Sequence, residues 1–234
     1  MANLIRYSDG DIVVSTDKLT TSTWSDNTNN LQVAFTSSLT NYSSNTASGQ
    51  FFIEVFNKVA TDLTSQVQYA VAYGNRVGSG SPDFTNDIGS FGFGASRVIY
   101  NQYRQLVFGD ETQNFTFDKH TPNDIYVINV ERARFKHNLK PGSLNLTISG
   151  SSHSSIGLPA GRKDIHLTDD SVTSTGSAVV TNLGRQFNIV SGSNGIALGG
   201  TISQINTSAS YGLFYPDAGV IILNPDAFEG MILP

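Results

Sequence analysis

Two pairs of neighbouring acidic residues are the first candidates for chemistry in this chain. Asp169 and Asp170 follow a predicted strand, and Asp9 and Asp11 precede another. Paired carboxylates can serve as the acid and nucleophile of a glycosidase, or bind calcium through their oxygens. Neighbouring acids at strand ends more often form turns and N-caps, because their short side chains accept backbone hydrogen bonds. We therefore interpret both pairs as structural.

The four histidines do not have the spacing of a metal site. His120, His137, His153 and His166 are scattered, and no two are four residues apart, the spacing by which a helix presents two ligands to one ion. We interpret them as solvated or hydrogen-bonding side chains. The chain has 0 Cys, which excludes disulfides, thiolate zinc sites and a cysteine nucleophile.

The glycine-rich segments match no phosphate-binding or acyl-transfer motif. No GxGxxG follows a strand, and neither GxxxxGK[ST] nor GxSxG occurs. Gly92, Phe93 and Gly94 precede a predicted helix, but no lysine follows to hold a phosphate. We expect a protein without enzymatic activity, catalytic residues, metal or cofactor.

Composition narrows the possible partners. The chain has 14 Lys and Arg against 19 Asp and Glu, a net charge of −5, and so lacks the basic surface of a nucleic-acid-binding protein. No window approaches the roughly 18 apolar residues of a membrane span. The first residues have the pattern of neither a signal peptide nor a transit peptide. We therefore predict neither nucleic acid nor membrane as a partner.

The elements that would position these residues are mostly short strands. With 22 Gly and many Ser, Thr and Asn, the composition favours strands joined by turns. The apolar run at 124–130 is typical of a strand covered on both faces, and residues 144–149 alternate as a half-buried strand does. Further strands are predicted at 11–18, 32–37, 50–59, 66–73, 164–167, 178–181, 187–190 and 201–205, and as a hairpin at 211–215 and 220–223.

One helix is predicted at 95–108. Its apolar residues recur at helical spacing, Ser96 is placed to cap its start and Gly109 to end it. A second helical turn is predicted at 132–139. The fold class is therefore mainly β: an antiparallel β-sandwich-like domain with one or two short helices.

We predict a single domain over residues 1–234, with a flexible connector near 151–163, and the chain could be a segment of a longer one.

Three regions of the chain are candidate interfaces. They are the basic turn Arg132, Arg134, Lys136 and Lys140; Phe91 and Phe93 at the end of a Gly-rich loop over 74–94; and the apolar C-terminal residues Phe228, Met231, Ile232 and Leu233. Arginine is enriched in protein interfaces, although a solvated face is the alternative for the basic turn. The apolar tail is expected to dock on a neighbouring subunit or to continue into a further domain, because exposed apolar surface is costly.

Six segments share a resemblance. They are STDKLTTSTWSDNTNNL (15–31), FTNDIGSFGFGASRVIYNQYRQLVFGDE (84–111), DIYVINVERARFKHNLKPGSLNLTISG (124–150), LTDDSVT (167–173), GRQFNIVSGSNG (184–195) and YGLFYPDAGVIILNP (211–225). Together they resemble virion structural proteins of contractile-tailed marine phages, the T-even-like cyanophages. None of these segments is a motif with a defined activity, so the resemblance assigns no residue a role.

The resemblance implies a virion protein of the tail, in the baseplate or the region where fibres attach, assembled in the host cytoplasm and released by lysis. Its partners would be other virion proteins, in a homo-oligomer or a hetero-assembly. A neck or capsid position is the alternative. A carbohydrate-binding or polysaccharide-cleaving β module of a tail fibre is the alternative function, which the Ser/Thr/Asn/Gly-rich composition and aromatic loops would permit.

Overall fold

The computed structural model describes residues 35–36, 52–58, 62–78, 95–117, 120–152, 161–172, 178–197, 210–228 and 231–232. In this part of the chain there are twelve strands and one α-helix, α1 (Ala95–Phe108). The strands are β1 (Phe35–Thr36), β2 (Phe52–Phe56), β3 (Val67–Asn75), β4 (Asp124–Val130), β5 (Leu146–Ser152), β6 (Gly161–Asp169), β7 (Val179–Thr181), β8 (Gly184–Ser193), β9 (Ile196–Ala197), β10 (Gly212–Tyr215), β11 (Val220–Leu223) and β12 (Met231–Ile232).

All the strands join in one antiparallel sheet. The order is β1-β2-β3-β4-β11-β10-β8-β6-β5-β12, and β7 and β9 pair with the two ends of β8. Buried side chains of β4, β10 and β11 share a core with those of β6 and β8. The sheet is therefore curled, and one of its faces encloses this core. The predicted fold class, a mainly β, antiparallel, sandwich-like domain, is confirmed.

Strand β4 lies at the centre and is covered on both faces, as its apolar run predicted. Ile125 and Val127 face α1, in a helix-side core that also contains Tyr100, Leu213 and Ile222. Val130 faces the other way, into a sheet-side core that also contains Leu167, Phe187, Ile189, Phe214 and Phe228. Successive side chains of a strand point to opposite faces, so a strand between two cores carries apolar residues on both faces. The exceptions in β4 are Asp124 at its start and the exposed Asn129.

The hairpin β10–β11 joins the same two cores. Leu213 pairs with Ile222 and Phe214 with Ile221, and these two pairs lie on opposite faces of the sheet. The turn between the strands is 216–219, as predicted, and every residue of both strands is buried. Burying one such apolar side chain contributes on the order of 1.5–3 kcal/mol, so this hairpin is a central source of stability.

The helix has its predicted bounds, Ala95–Phe108, and ends where Gly109 takes a left-handed conformation at φ 67°. Ser96, which was predicted to cap the helix, is buried at its second residue, and the capping prediction stays a prediction. Helix α1 approaches β3 closely at Gly74. A Cβ on that residue would lie 3.0 Å from the backbone nitrogen of Tyr100, so only glycine fits without displacement.

Three other boundaries differ from the predictions. The predicted turn at 132–139 is helical only over Arg132–Arg134, as a 3₁₀ turn. The predicted connector at 151–163 overlaps the hairpin β5–β6, in which Ser152 pairs with Gly161. The predicted loop at 74–94 begins later, because Gly74 and Asn75 belong to β3. The strands predicted at 11–18 and 201–205 lie outside the described residues.

Candidate functional site

The carboxylates Asp169 and Asp170 have structural partners, as the sequence predicted: Asp169 holds a turn, and Asp170 binds strand β8. Asp169 is fully buried at the end of β6 and accepts hydrogen bonds from the backbone nitrogens of Gly142 at 2.6 Å and Leu144 at 3.1 Å. Asp170 accepts from the backbone and side-chain nitrogens of Asn188, at 2.9 and 3.0 Å. The remaining acidic pair, Asp9 and Asp11, lies outside the described residues.

Two histidines contact distant segments. Nε2 of His120 pairs with Oδ2 of Asp226 in a 3₁₀ turn, Pro225–Phe228, and Nδ1 of His166 lies 3.0 Å from Oγ1 of Thr147. His137 is exposed, and His153 lies outside the described residues. Within the described ranges, no three His, Asp or Glu residues are close enough to hold a metal ion. The sequence contained no signal for the His120–Asp226 pair, whose members are separated by 106 residues.

The turn between β10 and β11 is tied to β8 by an ion pair. The guanidinium of Arg185 lies 2.6 Å from Oδ1 of Asp217, and the backbone nitrogen of Arg185 donates to Oδ2 at 2.8 Å. These hydrogen bonds hold the pKa of Asp217 below its ordinary value, partly offset by desolvation. The pair stabilises the turn between β10 and β11.

The predicted basic turn divides into bound arginines and exposed lysines. The guanidinium of Arg132 lies 4.6 Å from the centre of the Phe135 ring and donates to the Phe135 carbonyl. Arg134 donates to Oε1 of Gln66, and its Nε is buried without a hydrogen bond. Lys136 and Lys140 are exposed. The interface prediction for this turn stays a prediction.

Two exposed apolar side chains lie near the backbone of Gly142, which follows Lys140 by two residues. Val172 and Ile196 are 65% and 70% exposed. A Cβ on Gly142, two residues after Lys140, would lie 2.7 Å from Cγ2 of Val172, and one on Gly195 would lie 2.8 Å from the same atom. We call Lys140, Val172 and Ile196 the lysine–valine surface. Sequence patterns did not single out Val172 or Ile196, because Val172 lies in a turn and Ile196 in β9, and these two segments meet only in the fold.

One predicted interface residue of the C-terminal segment, Phe228, is used inside the domain, and for the others the docking prediction stays a prediction. Phe228 is buried in the sheet-side core, with its ring centroid 5.6 Å from that of Tyr211. The backbone of Met231 and Ile232 forms β12, which pairs with Ser152 and Ser151 of β5. The other candidate interface residues, Phe91, Phe93 and Leu233, lie outside the described residues.

A groove of about 610 Å³ opens beside the end of α1. One wall is formed by the last turn of α1 and residues 113–116, and the other by the hairpin β7–β8. Six lining residues carry amides or hydroxyls: Gln113, Asn114, Thr116, Thr181, Asn182 and Gln186. The apolar lining residues are Val107, Phe108, Val179, Val180 and Leu213. We call this the amide groove.

Hydrogen bonds to neighbouring segments fix the walls of the amide groove. The backbone nitrogen of Asn182 donates to the carbonyl of Val107 at 3.2 Å, which joins the hairpin turn to the helix end. The hydroxyl of Tyr215 donates to Oε1 of Gln186 at 2.9 Å. Burial raises the pKa of Tyr215 well above its ordinary value, so this hydroxyl remains protonated and fixes the amide. Four separate segments build the groove, so no local sequence signal could have identified it.

Comparisons with protein-family models, curated proteins and solved structures give no match for this chain. In the part of the chain that the structure describes, no helix combines the length and the apolar character needed to cross a bilayer. The function must therefore be argued from the residues and their arrangement.

Proposed function

We propose that this protein is a virion structural component that acts through protein–protein assembly in a phage tail, in the baseplate or the fibre-attachment region. The lysine–valine surface is the observation that carries the proposal. Exposed apolar side chains beside a cation are typical of contact surfaces, because their burial against a partner is favourable and the charge selects a complementary neighbour.

The use of the polar residues supports a scaffold rather than an enzyme. Asp169, Asp170 and Asp217 each accept hydrogen bonds from the chain's own backbone, and His120 pairs with Asp226. Groups committed to holding turns are poorly placed to transfer protons to a substrate. The resemblance of the six segments to virion proteins of T-even-like cyanophages supports the same reading.

The partner is another virion protein or a further copy of this chain, with an apolar patch and an acidic rim. The chain's own net charge of −5 makes a neighbouring copy one source of such a rim. In that arrangement, the lysine–valine surface of one copy would meet an acidic face of the next, a heterologous contact.

Purified particles of the phage that encodes the chain provide the test. We expect the protein among their components by mass spectrometry, and as density contiguous with tail proteins by electron microscopy. Its absence from intact particles would overturn the proposal.

The surface itself is tested by complementing particles that lack the protein with a variant carrying Val172→Ser and Ile196→Ser. We expect the variant to fold and its incorporation to fall. Val98→Ser is the matched control, because Val98 is similarly exposed but lies on α1. Equal incorporation of the variant and the control would exclude this surface as the contact.

A further inference from the structure

We infer that the amide groove is a binding site for a short neutral oligosaccharide. The inference concerns a surface other than the lysine–valine surface and does not depend on a place in a virion. At about 610 Å³ the groove lies within the roughly 300–1,000 Å³ typical of small-ligand sites.

The groove favours a neutral ligand. None of the residues described as lining it is charged. Charged side chains near the lining residues have partners of their own: Arg185 binds Asp217, and Arg104 donates to Asn101 at 2.8 Å and to Asn114 at 3.3 Å and acts electrostatically on Asp110. Because no charged side chain lines the groove itself, a ligand with a net charge would lose hydration there without a counter-charge in the lining.

Two amides in the groove are oriented as donors. Oε1 of Gln186 accepts from Tyr215, and Oδ1 of Asn114 accepts from Arg104. In each case the amide oxygen already accepts a hydrogen bond, whereas the amide nitrogen makes no hydrogen bond to a described residue. An amide nitrogen carries two donor hydrogens, which suit the hydroxyl and ring oxygens of a sugar.

Apolar side chains lie beside these donors. The ring of Phe108 and the side chains of Val179 and Val180 line the same groove. A pyranose ring has hydroxyls at its edge and C–H groups on its faces, so it can contact the amides and the apolar residues together.

A peptide strand is the less suitable occupant. Strand addition depends on backbone hydrogen bonds along a sheet edge, and β7 offers only three residues, Val179–Thr181. The polar lining of the groove consists of side-chain amides and hydroxyls, spread over both walls.

The test uses the full chain with maltohexaose, cellohexaose and chitohexaose as neutral probes and an oligogalacturonate as the acidic comparison. Calorimetry measures affinity, and amide chemical shifts locate the site. We expect at least one neutral probe to bind and to shift the resonances of residues 113–116 and 181–186, while the oligogalacturonate does not bind.

Two conservative variants test the mechanism. Gln186→Glu and Asn114→Asp keep the oxygen that accepts from Tyr215 or Arg104 and remove the donor hydrogens. Each should weaken binding by about tenfold, because a donor is replaced by a charged acceptor. Gln105→Glu introduces the same charge at an exposed site on α1 outside the groove and should leave affinity unchanged.

Three outcomes would overturn the inference. They are no binding of any neutral probe at millimolar concentration, binding that the two variants leave at the control level, and occupation of the groove by a neutral Ser/Thr-rich peptide in place of the sugars. Circular dichroism checks that each variant is folded, and if one is not, the other supplies the measurement. Incorporation into particles is measured in a separate experiment, so the proposed virion role and the inferred sugar site can be disproved independently.

Discussion

At the scale of single residues, buried polar side chains connect segments that are distant in sequence. Oγ1 of Thr168 donates to the carbonyl of Leu144 at 2.8 Å and accepts from the backbone nitrogen of Gly195 at 2.7 Å. The side-chain nitrogen of Asn224 donates to the carbonyl of Ser210 at 3.1 Å. Each bond satisfies a backbone group that would otherwise be buried unpaired at a turn. These polar residues therefore specify which loops meet.

Asp169→Ala should lower the free energy of unfolding by about 2–4 kcal/mol. The substitution leaves the backbone nitrogens of Gly142 and Leu144 without their acceptor at a buried site. Urea denaturation measures the effect. The control is Asp170→Ala, which should cost about 1 kcal/mol, because Asp170 is only partly buried. Equal costs for the two variants would show that the buried carboxylate has no special role.

The Asp217–Arg185 pair should contribute stability that disappears in acid. Because the pKa of Asp217 is lowered in the folded state by its hydrogen bonds to Arg185, the contribution is complete above the ordinary pKa of 3.8 and is lost as pH falls through the lower folded value. The side chains of Arg185 and Asp217 are 41% and 32% exposed, so solvent screening limits the contribution to about 0.5–1 kcal/mol.

Urea midpoints of the wild type and Asp217→Asn, measured from pH 7 to pH 2, test this contribution. The difference between the two urea midpoints should become smaller below pH 3.8. A gap that stays constant across this range would contradict the assignment.

At the scale of elements, the hairpin β10–β11 and the turn that follows it form the centre of the domain. The 3₁₀ turn Pro225–Phe228 places Phe228 in the sheet-side core, and the backbone nitrogen of Leu139 donates to the carbonyl of Pro216 at 2.9 Å. The basic turn is thereby anchored to the hairpin. Phe228, which the sequence predicted to contact a neighbouring subunit, instead completes a core.

Phe228→Ala should destabilise the isolated domain by about 3–5 kcal/mol, because it removes a buried ring and leaves a cavity against Tyr211. Thermal and urea unfolding of the purified chain measure it. Lys136→Ala, on the exposed side of the basic turn, should stay within about 0.5 kcal/mol of wild type. A cost below about 1 kcal/mol for Phe228→Ala would restore the hypothesis that the segment docks on a neighbour.

At the scale of the whole molecule, the two cores are the two faces of the same central strands. Val127 and Ile222 belong to the helix-side core, while Val130 and Ile221 belong to the sheet-side core. Neither core can lose its packing without disturbing β4 and β11, which carry both. The described part of the chain should therefore behave as one cooperative unit.

Methyl resonances of isoleucine can test this cooperativity. Ile125 and Ile222 report on the helix-side core, and Ile189 and Ile221 report on the sheet-side core. We expect one urea midpoint for all four residues. Val107→Ala, which creates a cavity under α1, should lower that midpoint equally for both cores. Separate midpoints would show that the cores unfold independently.

Much of the secondary structure followed from the sequence alone. The alternation of 66–73, the apolar runs of 124–130 and 220–223, and the helical spacing of 95–108 with Gly109 after it each depend on neighbours within one element. Such patterns record which faces are buried, and burial is what selects a strand or a helix. A structural use of Asp169 and Asp170 was likewise predictable, but their partners were not, because the backbone nitrogens that they bind are 18–27 residues away in the chain.

Only the tertiary structure decided where the surfaces lie. The lysine–valine surface joins residues 140, 172 and 196, and the amide groove joins the end of α1 to the hairpin β7–β8. The burial of Phe228 and the pairing of His120 with Asp226 also bring together distant parts of the chain. Pairing across a curled sheet is set by the fit of whole strands and cores, so no local pattern of residues contains it.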